Sequence, residues 1–293
     1  MKSGFVCLVG SPNVGKSTMV NSIIGKKISI VSKKPQTTRH RINAIWNAPN
    51  AQVVFVDTPG LHKAVHKLGK YLVKIAINSL EGNDLLLFVT SAEGVKKSDE
   101  IVAERISNVE VPFIGVVNKC DLKENLAVKS IDSMFTSMKN CVGVHHISAI
   151  NRTGIDKLIG EILKNLPEAP AYYPIGTLTD RPLNFMISEI VREKVFRFTR
   201  EELPYSSAVV VDYTEETPDL MKIWVTILVD KSSQKPIMLG KGGKMIKKIG
   251  TFARKDIERL VDKHVFLSVH VKVKPKWTES DKMLEEMFRG ELK

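Results

Sequence analysis

The nine residues at positions 10–18 read Gly10-Ser11-Pro12-Asn13-Val14-Gly15-Lys16-Ser17-Thr18, which is the pattern Gly-x-x-x-x-Gly-Lys-Ser. A short apolar run at 5–9 precedes them, and apolar residues at helical spacing follow until Gly25. This order predicts a strand, a glycine-rich turn and a helix, which together direct backbone N–H groups and the positive end of a helix at one point. A polyphosphate would bind there, with Lys16 reaching its β and γ phosphates and Ser17 ligating Mg²⁺. The alternative for so short a pattern is an ordinary glycine turn with a solvated lysine.

The length and charge of the chain limit its class. Its 293 residues are enough for two domains, and 43% hydrophobic with 26% charged residues is typical of a soluble globular protein. A formal net charge of +12 indicates a polyanionic partner, with nucleic acid as the first candidate and an anionic membrane surface as the second. The three cysteines have no metal-binding spacing and suit a reducing cytosol. We find no signal peptide and no apolar run of about 18 residues, so we expect a cytoplasmic protein, acting as a monomer, without an integral membrane segment.

The first half of the chain alternates apolar strands with helices. Further strands are predicted at 53–56, 85–89, 113–117 and 144–147, and helices around 65–80, 98–108, 124–139 and 154–166. This alternation predicts an α/β domain over residues 1–166, with a mostly parallel sheet covered by helices on both faces. Ligands of such sheets bind beyond the carboxyl ends of the strands.

Three more polar motifs follow predicted strands directly. They are Asp57-Thr58-Pro59-Gly60, Asn118-Lys119-Cys120-Asp121 and Ser148-Ala149-Ile150. Asp57 could hold Mg²⁺ through water, and the Gly60 N–H could contact a γ-phosphate. The Asp121 carboxylate only accepts hydrogen bonds, so it matches the two donors of guanine and would select GTP over ATP. A backbone N–H of the third motif could meet the guanine O6.

With four motifs in this order, residues 1–166 resemble a translation-factor-class small GTPase domain with the P-loop fold. The phosphate loop, the Asp-Thr-Pro-Gly motif and Pro35-Gln36-Thr37-Thr38-Arg39-His40-Arg41 resemble the Era branch of that class. The resemblance implies binding of GTP and GDP and hydrolysis of GTP with Mg²⁺. It also implies a first switch made of Gln36, Thr37, Thr38, Arg39 and His40. One threonine would contact Mg²⁺ beside Ser17 and Asp57; we favour Thr38, but the sequence does not separate it from Thr37.

The hydrolytic residues depart from the pattern of many signalling GTPases. Leu61 stands where those proteins carry a water-orienting glutamine, so intrinsic hydrolysis should be slow. His62 could serve as a base, although an imidazole on such a loop more often faces solvent. In related GTPases an asparagine at the position of Asn13 helps to hold a K⁺ ion, so the resemblance implies that Asn13 and Lys16 support catalysis. The alternative is that Asn13 only shapes the loop.

The second half carries a different pattern. Prolines interrupt residues 167–182, which predicts a linker, and residues 183–293 form a second domain with a C-terminal tail. Its predicted order is a helix at 184–200, strands at 208–213 and 223–229, two helices within 235–263 and a strand at 265–273. The two helices are split by Gly240-Lys241-Gly242-Gly243, and Gly-x-x-Gly permits close approach of a sugar-phosphate backbone. This α+β order resembles the type II KH domain that ends Era proteins.

Basic residues concentrate around this glycine loop. Residues 231–276 hold 13 basic and 3 acidic residues, which is an electrostatic footprint for phosphates. Ile237, Leu239, Ile246 and Ile249 could floor a groove for bases, with core packing as the alternative. The predicted RNA-binding residues are Lys235, Gly240, Lys241, Gly242, Gly243, Lys244, Lys247, Lys248, Lys272 and Lys274.

The resemblance as a whole implies a bacterial ribosome-assembly GTPase. Its expected partners are the 3′ end of small-subunit ribosomal RNA and the small ribosomal subunit, with peripheral contact at the inner face of the cell membrane. Two other functions stay open. One is a constitutive RNA-binding module with a structural nucleotide site, against which the intact Lys16, Ser17, Asp57 and Asp121 argue. The other is a metabolic kinase, for which no acceptor pocket is recognisable.

Overall fold

The structure, a computed structural model, describes residues 1–122 and 128–291. The predicted helical residues 124–127 lie outside this described part. The chain divides into two compact units. The first comprises Met1–Asp180 together with the C-terminal residues from Phe288 onward, and the second comprises Arg181–Met287. Within the described residues, no helix is long and apolar enough to cross a membrane.

The first unit is an α/β layer structure, as predicted. Among its described residues, six strands lie in the order β2-β3-β1-β4-β5-β6. All neighbouring pairs are parallel except β2 with β3. The strands are β1 Lys2–Val9, β2 Ile42–Ala48, β3 Ala51–Asp57, β4 Leu85–Ser91, β5 Phe113–Asn118 and β6 Cys141–His146, and the helices are α1 Lys16–Ile24, α2 Lys67–Asn78, α3 Lys97–Ser107, α4 Val128–Thr136 and α5 Ile155–Asn165.

The edge strand β2 was not predicted from the sequence. It pairs antiparallel with β3 from Ile42 opposite Asp57 to Ala48 opposite Ala51, so the two strands form a hairpin closed by Pro49 and Asn50. An edge strand tolerates polar residues on its open side, and its apolar pattern is therefore weaker than that of the central strands.

The stretch 167–180, where the sequence predicts a linker, packs along the first unit. The Ser3 N–H donates to the Pro167 carbonyl at 3.2 Å, and the Ile45 N–H donates to the Leu178 carbonyl at 2.9 Å. The Gln52 side-chain oxygen accepts from the backbone N–H of Tyr172, at 2.8 Å. These bonds attach residues 167–180 to the strands β1, β2 and β3.

The C-terminal residues also belong to the first unit. Phe288 is buried, and its ring lies 5.0 Å from that of His40 and 6.3 Å from that of Tyr71 on α2. The Glu291 carboxylate accepts from the Arg41 N–H at 2.9 Å and lies 3.0 Å from His40 Nδ1. The chain therefore returns to the predicted first switch at its end.

The second unit has the element order predicted for a type II KH domain. Its sheet has the order β7-β8-β9, with β7 antiparallel and β9 parallel to the central strand β8. A core that includes Ile187, Ile223 and Ile249 joins the sheet to its helices. The elements are α6 Leu183–Phe198, β7 Ser207–Glu216, β8 Leu220–Val229, α7 Gln234–Leu239, α8 Lys244–Val261, β9 His264–Val273 and α9 Asp281–Met287.

Candidate functional site

The phosphate loop joins β1 to α1 and is closely packed. Gly15 has φ +99°, and a Cβ there would lie 2.3 Å from the Asn118 side-chain nitrogen, so only glycine fits. Lys16 is buried, and its ammonium donates to the carbonyls of Gly10 and Ser11, each at 3.0 Å. Burial lowers the pKa of Lys16 to about 8, while the nearby Asp57 carboxylate acts in the opposite direction. The carbonyls of Gly10 and Ser11 thus fix the position of the cation at the mouth of the loop.

The predicted magnesium ligands lie together, and the structure separates the two threonines. Ser17 Oγ is 2.8 Å from Thr38 Oγ1, whereas the Thr37 hydroxyl donates to the Lys34 carbonyl at 2.7 Å. Both carboxylate oxygens of Asp57 are buried, and neither has a hydrogen-bond partner among the described residues. Burial raises the pKa of Asp57, and the Ser17 hydroxyl and Lys16 charge beside it oppose that rise. Two hydroxyls and a desolvated carboxylate are a donor set that fits Mg²⁺.

The Asp-Thr-Pro-Gly loop lies directly against the phosphate loop. A Cβ on Gly60 would be 2.7 Å from the Pro12 nitrogen, so this approach requires glycine. The Thr58 hydroxyl donates to the Leu8 carbonyl at 2.6 Å. The Leu61 N–H donates to the Gly10 carbonyl at 3.1 Å, and its side chain is buried in the core of the first unit. Leu61 is therefore unable to orient a water molecule, as its apolar side chain predicts.

His62 connects Gln36 of the predicted first switch to Gly60 of the Asp-Thr-Pro-Gly loop. Its Nδ1 lies 2.9 Å from the Gly60 carbonyl, and its Nε2 lies 3.0 Å from the Gln36 side-chain nitrogen. A carbonyl only accepts, so Nδ1 carries the hydrogen and Nε2 accepts from Gln36. In this arrangement the imidazole positions Gln36, and its basic nitrogen is occupied.

Asn13 holds the phosphate loop to the segment before the first switch. It adopts a left-handed φ of 64°, and its side-chain amide donates to the Lys33 carbonyl at 3.0 Å. A cleft of about 420 Å³ opens beside it. The residues lining this cleft are Pro12, Asn13, Gly15, Lys16, Ser17, Thr18, Ile30, Val31, Ser32, Gln36, Thr37, Thr38 and Gly60.

The predicted base-binding motifs meet at the ends of β5 and β6. Asn118 is buried, donates to the Val14 carbonyl at 2.9 Å and accepts from the Ala149 N–H at 3.0 Å. The exposed Asp121 accepts from the Ser148 hydroxyl at 2.5 Å, which orients its carboxylate. The Ser148 N–H donates to the Thr153 carbonyl. One N–H of Ser148-Ala149-Ile150 was predicted to meet the guanine O6, and those of Ser148 and Ala149 are engaged within the protein.

Lys119 is fixed beside this motif by a carboxylate that sequence reasoning missed. It has a left-handed φ of 65°, and its ammonium lies 2.9 Å from Glu93. The pKa of Glu93 is lowered to about 2, mainly by the hydrogen bond from the Ser91 hydroxyl and next by the hydrogen bond from Lys119. The aliphatic part of Lys119 is thereby held in a defined position at the edge of the site.

A second site residue missed from the sequence is Asp99, in the first turn of α3. Its Oδ1 accepts from the Ser11 hydroxyl at 2.5 Å, and both residues are buried. The sequence analysis assigned no role to Asp99, and acids are common in the first turns of helices. No local pattern relates it to a loop 88 positions earlier.

The glycine loop of the second unit directly precedes α8, and this helix lines one side of a groove. Gly242 and Gly243 have φ of +59° and +74°, and a Cβ on either would meet nothing within 4 Å. A groove of about 570 Å³ runs between α8 and β9. It is lined by Ile246, Lys247, Gly250, Thr251, Arg254, Leu267 and Val269. Of these, Lys247 is a predicted RNA-binding residue and Ile246 a predicted floor residue of a base groove, whereas Arg254 and the two β9 residues were not named from the sequence.

The predicted lysines divide by position. Lys235, Lys241, Lys244 and Lys247 are exposed on or next to the helices that flank the glycine loop. Lys248 is also exposed on α8, and its ammonium lies 4.5 Å from the centre of the Phe198 ring of α6.

The predicted lysines at the end of β9 and the predicted apolar residues of the groove also differ in where they lie. Lys272 follows the buried Val271 on β9, so it projects from the sheet face opposite the helices. The exposed Lys274 lies just beyond β9, where its N–H donates to the Val229 carbonyl at 2.9 Å. Ile249 is fully buried, whereas Ile237 is 61% exposed.

Comparison with protein families gives two matches. Residues 5–119 match the family described as 50S ribosome-binding GTPase, and residues 202–278 match the KH domain family. GTPase Era of Thermotoga maritima is 48% identical over 284 residues, which cover 96% of this chain and 95% of that protein. GTPase Era of Geobacter metallireducens is 44% identical over 289 residues, covering 98% and 97%.

Two crystal structures are similar over nearly the whole chain. One is Era in complex with MgGDPNP and nucleotides 1506–1542 of 16S ribosomal RNA. The other is a single-residue variant of Aquifex aeolicus Era bound to GDP·AlF₄⁻. Each has a TM-score of 0.93 and 38% sequence identity, and each match covers 99% of both chains.

Proposed function

Because this chain belongs to the Era family of GTPases, we propose that it is a GTP-operated switch that binds the 3′ end of small-subunit ribosomal RNA during assembly of that subunit. The observation that carries the proposal is that α8 begins at an open glycine loop and then lines a groove with Lys247 and Arg254. A member of a GTPase family that also presents such a groove can make RNA binding respond to its nucleotide.

The glycine loop and the groove offer separate contacts for the RNA backbone and for the bases. The two glycines with positive φ let phosphates approach the main chain, which a side chain would obstruct. Lys247 and Arg254 supply positive charge for the phosphates. Ile246, Leu267 and Val269 form an apolar wall on which unstacked bases can rest, as in other readers of single-stranded RNA.

Three groups of residues in the nucleotide site have separate roles, toward the phosphates, the base and Mg²⁺. Lys16 neutralises charge on the β and γ phosphates, and the loop N–H groups at the start of α1 bind phosphate oxygens. Asp121 accepts from guanine and so selects the base. Ser17, Thr38 and Asp57 would hold Mg²⁺, which offsets negative charge on the phosphates when it is bound. Thr38 lies beside Ser17, so Mg²⁺ bound with GTP would also hold Thr38 and, with it, the first switch.

K⁺ accelerates hydrolysis in this proposal, with Asn13 beside the ion. The buried Leu61 supplies no polar group, and Asn13 already joins the phosphate loop to Lys33. Turnover should be faster in KCl than in NaCl, and the Asn13→Gly variant, which keeps the left-handed φ accessible, should lose that difference. Equal rates of the unaltered protein in both salts would remove K⁺ from the mechanism.

The protein acts in the cytoplasm as a monomer, with peripheral contact at the inner face of the membrane. The formal charge of +12 supports attraction to an anionic surface. Sedimentation with vesicles of anionic lipid, compared with vesicles of neutral lipid, tests the membrane contact. Sedimentation equilibrium tests the monomer.

The central experiment measures RNA affinity in each nucleotide state. A labelled oligonucleotide with the 3′-end sequence of small-subunit ribosomal RNA is titrated with the protein bound to GDP or to a non-hydrolysable GTP analogue. The proposal expects different affinities in the two states. Equal affinities would favour the second function, a constitutive RNA-binding module with a structural nucleotide site.

A further inference from the structure

The buried carboxylate of Asp99 joins the start of α3 to the phosphate loop. Its Oδ1 accepts from the Ser11 hydroxyl at 2.5 Å, and its Oδ2 accepts from the Lys96 N–H at 2.8 Å. Asp99 and Ser11 are each 1% exposed. A carboxylate removed from water in this way is costly unless both of its oxygens are bonded, as they are here.

Ser11 transmits this contact to the lysine of the site. The Ser11 carbonyl accepts from the Lys16 ammonium at 3.0 Å, and the adjacent Gly10 carbonyl accepts from the same group. The Ser11 side chain is held by Asp99 on one side, so the direction of its carbonyl on the other side is restricted. A continuous series of hydrogen bonds therefore runs from α3 through Ser11 to Lys16.

The negative charge of Asp99 also favours the Lys16 ammonium, in addition to the hydrogen bonds that run through Ser11. Burial disfavours the Lys16 cation, and Asp57, Cys7 and Asp99, in that order, counteract the effect of burial. Asp57 is expected to be engaged with Mg²⁺ in the nucleotide complex, whereas Asp99 stays bonded to Ser11. Asp99 is a fixed counter-charge that does not compete for the phosphates.

We propose that Asp99 is a positioning residue of the GTPase site, which holds Ser11 and through it the Lys16 ammonium in the orientation that receives the phosphates. It does not touch the nucleotide. In this view α3 is an anchor for the phosphate loop as well as a cover for the sheet. The competing interpretation is that Asp99 only caps α3 through Lys96.

The test is a double-mutant cycle on the full chain with Asp99→Asn, Ser11→Ala and the double variant. Affinity for a fluorescent GTP analogue, kcat and KM for GTP and the thermal unfolding midpoint are measured for each. We expect each single variant to weaken nucleotide binding about tenfold, as for loss of a hydrogen bond to a charged group. The double variant should be no weaker than the weaker single variant, because Ser11→Ala already removes the contact that Asp99→Asn weakens by loss of charge.

Two further variants separate positioning from helix capping. Glu100→Gln removes an exposed acid from the same first turn, and it should leave affinity and KM unchanged. Ser11→Thr retains the hydroxyl, and it should restore affinity relative to Ser11→Ala. If Ser11→Ala binds nucleotide normally, or if the losses of the two single variants add, the proposal is wrong and Asp99 is a cap. Should Asp99→Asn fail to fold, the Ser11→Ala and Ser11→Thr pair still decides between the two.

Discussion

The nucleotide site and the glycine-loop groove are built in opposite ways. In the first, Lys16, Asp57 and Asn118 are buried, and Lys16 and Asn118 have protein partners in place. In the second, Lys241, Lys244 and Lys247 are exposed along an open surface. A site of fixed, desolvated atoms recognises one ligand, so one substitution should be severe. A site of exposed charges binds a polyanion by summed attraction, so each residue should count for little and salt for much.

The largest effect should come from removing the buried cation. Lys16→Ala should lower kcat/KM for GTP by about 100-fold to 1000-fold, the range for loss of one preorganised donor to a developing charge. Lys26→Ala, at an exposed position just after α1, is the matched control and should be neutral. Steady-state phosphate release measures both. Similar rates for Lys16→Ala and the unaltered protein would mean that the site is not preorganised in this way.

Base selection should be the next largest effect. Asp121→Asn replaces an acceptor by an amide, so guanine affinity should fall about 10-fold to 100-fold, as for bonds to charged groups. Affinity for xanthine nucleotides, which present an acceptor at the corresponding position, should rise. Competition binding with GDP and XDP checks both directions, and unchanged GDP affinity would contradict the assignment.

The two adjacent threonines sharpen the comparison within the nucleotide site. Thr38→Ala should reduce the affinity for the Mg²⁺ complex of a GTP analogue about tenfold, and that for GDP much less, since loss of one charge-assisted ligand is of this size. Thr37→Ala is the control, because its hydroxyl bonds to Lys34 and not to Ser17. Chelation of Mg²⁺ should abolish the difference between the variants. Equal losses of affinity from Thr38→Ala and Thr37→Ala would show that Thr38 is not the threonine that contacts Mg²⁺.

Changes in the groove should be smaller and confined to RNA. Replacing both Lys241 and Gly242 by Asp should weaken RNA binding about fivefold to tenfold through charge repulsion, while GTP hydrolysis stays near normal. Lys157→Asp on α5 makes a comparable change of charge in the first unit and serves as the control. Retained RNA affinity in the loop variant would place the RNA contact elsewhere.

The smallest effect concerns one phosphate contact. Lys247→Ala should weaken RNA binding only severalfold and reduce the slope of log affinity against log salt by about 1. The affinity for GDP should depend on salt much less than the affinity for RNA. An unchanged slope would mean that Lys247 does not contact a phosphate.

The sequence predicted the fold well because its strongest signals are local. Each nucleotide motif directly follows an apolar strand, and a parallel sheet brings those ends together. The Asp99 bond to Ser11 and the Gln36 bond to His62 were missed, since they join residues far apart without any shared pattern. Lys248 was predicted from charge density alone, which did not indicate its contact with the Phe198 ring.

Alternation along β9 was a signal that the sequence did contain. Side chains of a strand alternate between faces, so the buried Val271 places Lys272 on the open face of the sheet. The edge strand β2 carried too weak an apolar pattern to be recognised. The Thr37 and Thr38 ambiguity was beyond sequence reasoning, because adjacent residues of a loop have no periodicity that assigns their directions.

The return of the C-terminal residues to the first unit affects how the molecule can be dissected. Phe288 packs against His40 and Tyr71, and Glu291 bonds to the Arg41 N–H. A fragment ended at residue 180, which is the obvious choice for studying the nucleotide site alone, would omit both residues. Kinetic constants from such a fragment would therefore describe a first switch segment that lacks its contacts with Phe288 and Glu291.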